Sequence, residues 1–177
     1  VSGQAILRLP DRAFGVLVRG IDREREARVN RLMDYVVMGR LPVKDDEVVV
    51  GTELAAFLHA APGARLQVIS PADGKMHEFI VSGIFHSGMY EYDASLIAIA
   101  LPRAQQLYEL GRTVTGIGVK VDRLEHAPEV KRLLQQRVGD AYQVRTWMEL
   151  NQTLFDALKL EKLTMFVILT FIILVAA

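Results

Sequence analysis

Few residues of this sequence could do chemistry, and their spacing argues against most of it. Histidine stands at His59, His77, His86 and His126. No two are three or four residues apart, the spacing at which a helix offers two imidazoles to one metal ion. Cysteine is absent, which removes disulfides, thiolate nucleophiles and cysteine metal sites together. No Gly-x-Ser-x-Gly elbow occurs, and no glycine-rich loop ends in Lys-Ser or Lys-Thr. Gly51-Thr52 follows an apolar run but lacks the second glycine and the lysine of a phosphate cradle, so it reads as a helix start only. Glu91 and Asp93, within Tyr90-Glu91-Tyr92-Asp93 on what should be extended chain, are the one carboxylate pair that invites an acid–base reading. Nothing basic or nucleophilic accompanies them. The expectation is a chain with no catalytic residue, no metal and no cofactor.

Charge narrows the field further. Lys+Arg and Asp+Glu total 21 each in 177 residues, a formal net charge of zero. Nucleic-acid binding, which needs a basic face to neutralise phosphates, is not supported. Hydrophobic residues make up 51%, and the excess collects at the end, where Leu163 to Ala177 reads LTMFVILTFIILVAA without a charge. At 1.5 Å per residue that run spans about 22 Å, short of the hydrocarbon core of about 30 Å. It is expected to be the start of a transmembrane helix, cut off where the chain stops. The competing reading is a buried core helix, but only Thr164 and Thr170 interrupt the apolar surface, where a core helix shows a polar face. The opening VSGQAILRLP has no signal-peptide character and reads as the middle of a longer protein.

The elements that must position these residues are short. Gln4–Leu9 and Phe14–Ile21 read as strands about a Pro10-Asp11-Arg12 turn, and the charge-dense Arg23–Arg31 as a solvated helical turn or loop. Glu47–Val50 reads as a strand, with Thr52 capping a helix through Leu58. Arg65–Ser70 and His77–Phe85 form a hairpin across Ala72-Asp73-Gly74. Leu96–Leu101 is another strand, and Pro102 opens a short helix to about Leu110. A β-α-β unit is then expected: strand Val114–Val121, helix Leu124–Val138 and strand Tyr142–Arg145. The helix carries Ala127, Val130, Leu133, Leu134 and Val138 as an apolar stripe against a sheet. Thr146 with Glu149 reads as a capping box. From Trp147 no glycine or proline interrupts the chain, so one continuous helix is expected to run into the apolar end.

The stretch Gly39–Leu101 resembles the periplasmic core domain of MacB-type ABC permeases. Its Glu47-Val48-Val49-Val50-Gly51, Leu54-Ala55, Leu58, Pro62-Gly63, Arg65-Leu66 and Phe79-Ile80-Val81-Ser82-Gly83-Ile84-Phe85 carry the likeness. A narrower resemblance is to the lipoprotein-releasing permeases of the LolC/LolE family. It rests on Gly15-Val16-Leu17-Val18-Arg19-Gly20-Ile21-Asp22, on Ser87-Gly88-Met89-Tyr90-Glu91-Tyr92-Asp93 with Ala104-Gln105, and on Arg145-Thr146-Trp147. Asn151, Leu154-Phe155, Ala157-Leu158-Lys159-Leu160-Glu161-Lys162 and Met165 complete it.

The resemblance implies an α+β fold in two parts, a β-α-β porter-like part with an inserted β-rich sabre-like part, ending in the start of a transmembrane helix. The porter-like part would comprise residues 1–38 and 111–162, the sabre-like part 39–110, and the membrane helix would start over 163–177. It implies a domain facing the periplasm from the bacterial inner membrane. Its expected partners are a cytoplasmic ATPase subunit, a second permease copy or paralogue, a lipoprotein substrate and a periplasmic lipoprotein carrier. Members that dock the carrier project a Pro- and Gly-rich hook from the sabre-like part, with an Arg before it and a Gln-Arg pair after. Here Gln67 takes the place of the Arg, Met76-His77 that of the pair, and Pro71, Asp73 and Gly74 lie in a short turn between them. That departure weighs towards a LolE-like, lipoprotein-receiving role. Phe155, Leu158, Met165 and Phe166 are the expected lipoprotein contacts, unless they pack only on the first membrane helix or a partner permease. The alternatives are a MacB- or FtsX-like domain that transmits force or binds a periplasmic partner without handling lipoprotein, and a soluble enzyme with a buried C-terminal helix.

Overall fold

The computed structural model describes residues 1–10, 12–29 and 32–176, and resolves into two compact units, Val1–Lys120 and Val121–Ala177. The first is built on seven strands: β1 (Ser2–Arg8), β2 (Ala13–Ile21), β3 (Val36–Gly39), β4 (Glu47–Gly51), β5 (Arg65–Ile69), β6 (Met76–Phe85) and β7 (Leu96–Ala100). Their order is β3-β6-β4-β7-β2-β1-β5, and β5 pairs back onto β6. The ladder therefore closes on itself through every strand except β3, which adds to the edge of β6. Closure explains the alternation along each strand, since inward residues fill a small barrel and outward ones face water. Leu7, Val16, Val18, Val48, Val50, Val68, Phe79, Ile97 and Ile99 point inward and are almost wholly buried.

Helices sit at the strand ends. α1 (Arg23–Val29) opens with the Asp22 carboxylate accepting from the Glu24 and Arg25 N–H groups, each at 3.2 Å. The part of the charged segment at Asn30 and Arg31, and Asp11 of the β1–β2 turn, lie outside the described residues. α2 (Thr52–Leu58) and α4 (Leu101–Leu107) contribute Leu54, Ala55, Ala104 and Leu107 to the barrel core. A smaller cluster of Ile21, Leu41, Val49, Phe85 and Ala98 lies apart from it. Because β1 and β2 share one closed ladder with β4–β7, the sheet runs across the boundary expected at residue 39.

Three local expectations give way. Residues 90–95 form a helix, α3 (Tyr90–Ser95), rather than extended chain, because the Tyr92 and Asp93 N–H groups turn back to the Met89 carbonyl at 3.0 and 2.9 Å. Thr52 does not cap α2. Gly51 occupies the cap position without a side-chain bond, and the Thr52 hydroxyl lies 3.1 Å from His86 Nδ1 instead. Val114–Val121 and Tyr142–Arg145 form no ladder among the described residues. Alternating apolar residues favour extension, but a strand also needs a neighbour to take its backbone hydrogen bonds.

The second unit contains α5 (Ala127–Val138), α6 (Trp147–Leu150) and α7 (Gln152–Ala176). With no ladder flanking it, α5 has no buried residue, and Leu133 and Val138 of its stripe are exposed. The expected continuous helix from Trp147 is broken at Asn151 (φ −115°, ψ 36°). The Asn151 side-chain amide donates to the Trp147 carbonyl at 2.9 Å, so a short polar side chain competes with the helical ladder at that point. Among the described residues no helix is long and apolar enough to cross a membrane. Lys159, Glu161 and Lys162 lie within α7 ahead of its uncharged run.

Candidate functional site

Three places gather the residues singled out by sequence. The first is the β5–β6 hairpin, whose last strand pair is Ile69 with Met76. Only residues 70–75 turn between them, and the turn is pinned from below. Ser70, 2% exposed, donates its hydroxyl to the Leu107 carbonyl of α4 at 2.7 Å. Asp73 accepts from the Lys75 N–H at 3.0 Å and pairs with the Lys75 ammonium at 3.0 Å. These contacts, the backbone one foremost, hold its carboxyl at about 2. Gly74 takes φ +68°, which a side chain would strain.

Beyond the turn, Arg103 of α4 donates to His77 Nδ1 at 3.1 Å. Arginine has no acceptor, so Nδ1 carries the lone pair. Partial burial, and then the Arg103 charge, lower the His77 pKa. Gln67 pairs with Glu78 across the hairpin, and with Met76 it lines a cleft of about 590 Å³ beside Arg8 and His59. Pro71 lines a separate groove of about 420 Å³ with Ile6, Gly15 and Leu17. The hairpin thus brings together all six residues of the shortened-hook region, and ties the turn and His77 to α4.

The second place is the loop into α3, which sequence reading left as an unaccompanied carboxylate pair. Glu91 and Asp93 do not act together: Glu91 is exposed and Asp93 is 1% exposed. Asp93 Oδ1 accepts from the Ser87 N–H at 2.7 Å and the Ser87 hydroxyl at 2.8 Å, and Oδ2 from the Gly88 N–H at 3.2 Å. His86 Nδ1 lies 3.1 Å from Oδ2. Every contact of the carboxylate faces its own loop, so it anchors a turn. Gly51 makes room for it, since a Cβ there would stand 2.2 Å from the Asp93 carbonyl oxygen. Met89, Tyr90 and Tyr92 are left 44%, 73% and 38% exposed. The local signal for this anchor was the Ser87-Gly88 pair followed by Asp93 in the motif.

The third place is α6–α7. The capping box is present in full: the Glu149 N–H donates to Thr146 Oγ1 at 3.2 Å, and the Thr146 N–H to Glu149 Oε2 at 3.1 Å. Lys131 of α5 also bonds Glu149, and this contact, with the cap, lowers the Glu149 pKa. Phe155 packs edge-on against Trp147 at 5.4 Å between ring centres. At 100° per residue Phe155, Leu158, Met165 and Phe166 fall within an arc of about 100° on α7. Leu158, Met165 and Phe166 are 50%, 57% and 68% exposed. The four therefore share one side of the helix, three of them open. Among the described residues no cluster of side chains suits a metal ion.

The mixed α+β fold of short end helices on a small closed barrel resembles that of an ABC-type transporter's extracellular domain. Over 82% of this chain and 78% of the other, it matches the crystal structure of the extracellular domain of the noncanonical ABC-type transporter YknZ from Gram-positive bacteria, with TM-score 0.55 and 16% identity. No protein-family model matches.

The sequence carries the narrower relation. All of the chain is similar to the lipoprotein-releasing system transmembrane protein LolC of Neisseria meningitidis serogroup B, at 34% identity over 189 aligned residues. It is likewise similar to the protein of that name in Xylella fastidiosa, at 29% over 188. The resemblance to the lipoprotein-releasing permeases thus extends along the whole chain, which spans 46% and 45% of those relatives' length.

Proposed function

We propose that this chain is the periplasm-facing domain of an inner-membrane ABC permease that releases lipoproteins for transfer to a periplasmic carrier. The observation that carries the reading is the 34% identity to a LolC protein along the entire chain, on a fold used by an ABC-type extracellular domain. The domain performs no bond chemistry of its own. ATP hydrolysis belongs to a separate cytoplasmic subunit, and a second permease copy or paralogue completes the transporter. The apolar end of α7 begins a membrane helix, so movement in the bilayer reaches the domain through α7 and the bend at Asn151.

Within this reading the exposed side of α7 meets the lipoprotein's acyl chains or anchor segment at Phe155, Leu158, Met165 and Phe166. The turn of residues 70–75, pinned to α4, stands where carrier-docking members project a hook, so carrier docking is assigned to the partner permease. Photo-crosslinkers placed singly at the four positions, in the assembled transporter, test the contact. Adducts with lipoprotein are expected, and adducts only with permease helices would overturn it.

A second reading, a MacB- or FtsX-like domain that transmits force or binds another periplasmic protein, draws on the same short hairpin. It predicts that loss of the protein leaves lipoprotein sorting untouched.

A further inference from the structure

The outer face of the barrel is apolar where β5, β1 and β2 adjoin. The ladder registers set the side chains there in a row, with Ile69 opposite Ile6 and Ile6 opposite Gly15. Leu17, two residues on from Gly15 in β2, shares their face. Ile6 and Leu17 are 46% and 37% exposed. Gly15 leaves a gap beside them, since a Cβ there would meet nothing within 4 Å. The gap belongs to the groove of about 420 Å³ that Pro71 also lines, a volume within the range of small-ligand sites.

The next row on this face is charged. Arg8 follows Ile6 by two residues, about 7 Å along the strand. It stands opposite Gln67, which stands opposite Glu78. All three line the cleft of about 590 Å³ that also holds His59 and Arg65. Glu78 lies 3.5 Å from Arg65, so the guanidinium left without an ion-pair partner among the described residues is that of Arg8. An aliphatic groove thus lies beside a cleft with an uncompensated cation. Strand register and shared cavity walls place both on one face.

Backbone chemistry selects the occupant. Residues 6–8 of β1 are paired on both sides. Nearer the start of β1, the Ser2 N–H donates to Thr115 Oγ1 at 2.8 Å, and the Gln4 carbonyl accepts from the Tyr108 hydroxyl at 3.1 Å. The Ser70 hydroxyl in the groove wall already donates to the Leu107 carbonyl. A polypeptide laid in the groove would therefore bury its own N–H and C=O groups against carbon. A hydrocarbon chain carries no such groups, and every apolar contact it covers is favourable. An anionic head on that chain finds a charge-assisted bond at Arg8.

We infer that the β5–β1–β2 face binds a single-chain anionic amphiphile, with its hydrocarbon along Ile6, Gly15 and Leu17 and its head at Arg8. The inference stands on this face alone and does not depend on lipoprotein release.

The test uses the whole chain in a neutral maltoside detergent. The probes are dodecanoic acid with a diazirine at its far end, and the methyl ester of the same molecule. After irradiation, adducts are mapped by mass spectrometry of proteolytic peptides, with labelling of α7 as the internal reference. The acid is expected to label β1 and β2, and excess unlabelled dodecanoate to suppress those adducts. Relative to α7, the ester should label the two strands about threefold less. Gly15→Leu should cut the strand adducts about tenfold by filling the groove, and Arg8→Gln should bring acid and ester level. Both variants should keep the wild-type unfolding transition, because Arg8 is exposed and position 15 is open. Adducts on α7 alone, acid and ester labelling wild type equally, or strand adducts that survive Gly15→Leu would each overturn the inference. So would a dimer of the chain that Gly15→Leu dissociates while no strand adduct forms, which assigns the groove to a second copy.

Discussion

Replacing Glu47 by glutamine should destabilise the first unit by about 2 kcal/mol at pH 7, and the penalty should shrink as pH falls below the ordinary carboxylate value. Glu47 starts β4 and is 6% exposed. Its carboxylate takes two bonds from Arg40, Nη1 to Oε2 at 2.7 Å and Nη2 to Oε1 at 2.6 Å. The Val43 and Lys44 N–H groups add contacts to Oε2 at 2.8 and 3.2 Å. The segment 40–46 is thereby fastened over the small cluster that includes Leu41 and Val49. Arg40, as the largest cause, with the two N–H donors, holds the Glu47 pKa at about 2 against an ordinary 4.5.

Taken at face value that depression corresponds to about 3 kcal/mol. The Arg40 side chain is 52% exposed, so water screens part of the pair and about 2 kcal/mol remains. The folded-state value lies below the unfolded one, so the stabilisation is complete above about 4.5 and fades as pH falls towards about 2. Denaturant unfolding of wild type and E47Q in detergent, at neutral pH and then stepwise down to pH 3, measures the gap. A gap below about 0.5 kcal/mol at neutral pH, or one that persists unchanged in acid, would refute the reasoning.

Other perturbations read other parts of the structure. Asp93→Ala leaves the Ser87 and Gly88 N–H groups without their acceptor. It should cost about 2–4 kcal/mol in denaturant unfolding, against a negligible change for Glu91→Ala on the same helix. Gly51→Ala drives a methyl against the Asp93 backbone and should destabilise by about 2 kcal/mol or more, measured in the same way. Thr146→Ala removes the capping hydroxyl and should cost about 1 kcal/mol, seen as faster hydrogen exchange at the Glu149 amide with barrel amides unchanged.

What sequence could reveal followed from how local each feature is. The β1–β2 and β5–β6 hairpins, the Glu47–Leu58 strand–helix pair and the Thr146–Glu149 box rest on residues within a few positions of one another. Turn chemistry made the hairpins legible and cap chemistry the box, while the strand–helix pair was legible even though Thr52 does not cap its helix. Barrel closure rests on Ile6 meeting Ile69, a pairing across most of the ladder that no local pattern encodes. Residues 114–121 show the reverse case, with alternation that favours a strand but no ladder among the described residues. Residues 90–95 looked extended because two tyrosines favour strands, whereas the helix depends on a loop held by Asp93. The hook-region positions were found by likeness to a family. Their attachment to α4, through Ser70 to Leu107 and His77 to Arg103, became visible only in three dimensions. Phe155, Leu158, Met165 and Phe166 were singled out by the family likeness, and their place on one side of α7, like the break at Asn151, came from the structure.

The central claim is lipoprotein release, and depletion of the protein in its own cell tests it most directly. Outer- and inner-membrane fractions would be separated after depletion, and labelled lipoproteins quantified in each. The account predicts that mature lipoproteins accumulate in the inner membrane and fall in the outer, with the distribution restored by re-expression. An unchanged distribution, with the protein fully depleted, would contradict it and leave the force-transmitting reading in its place.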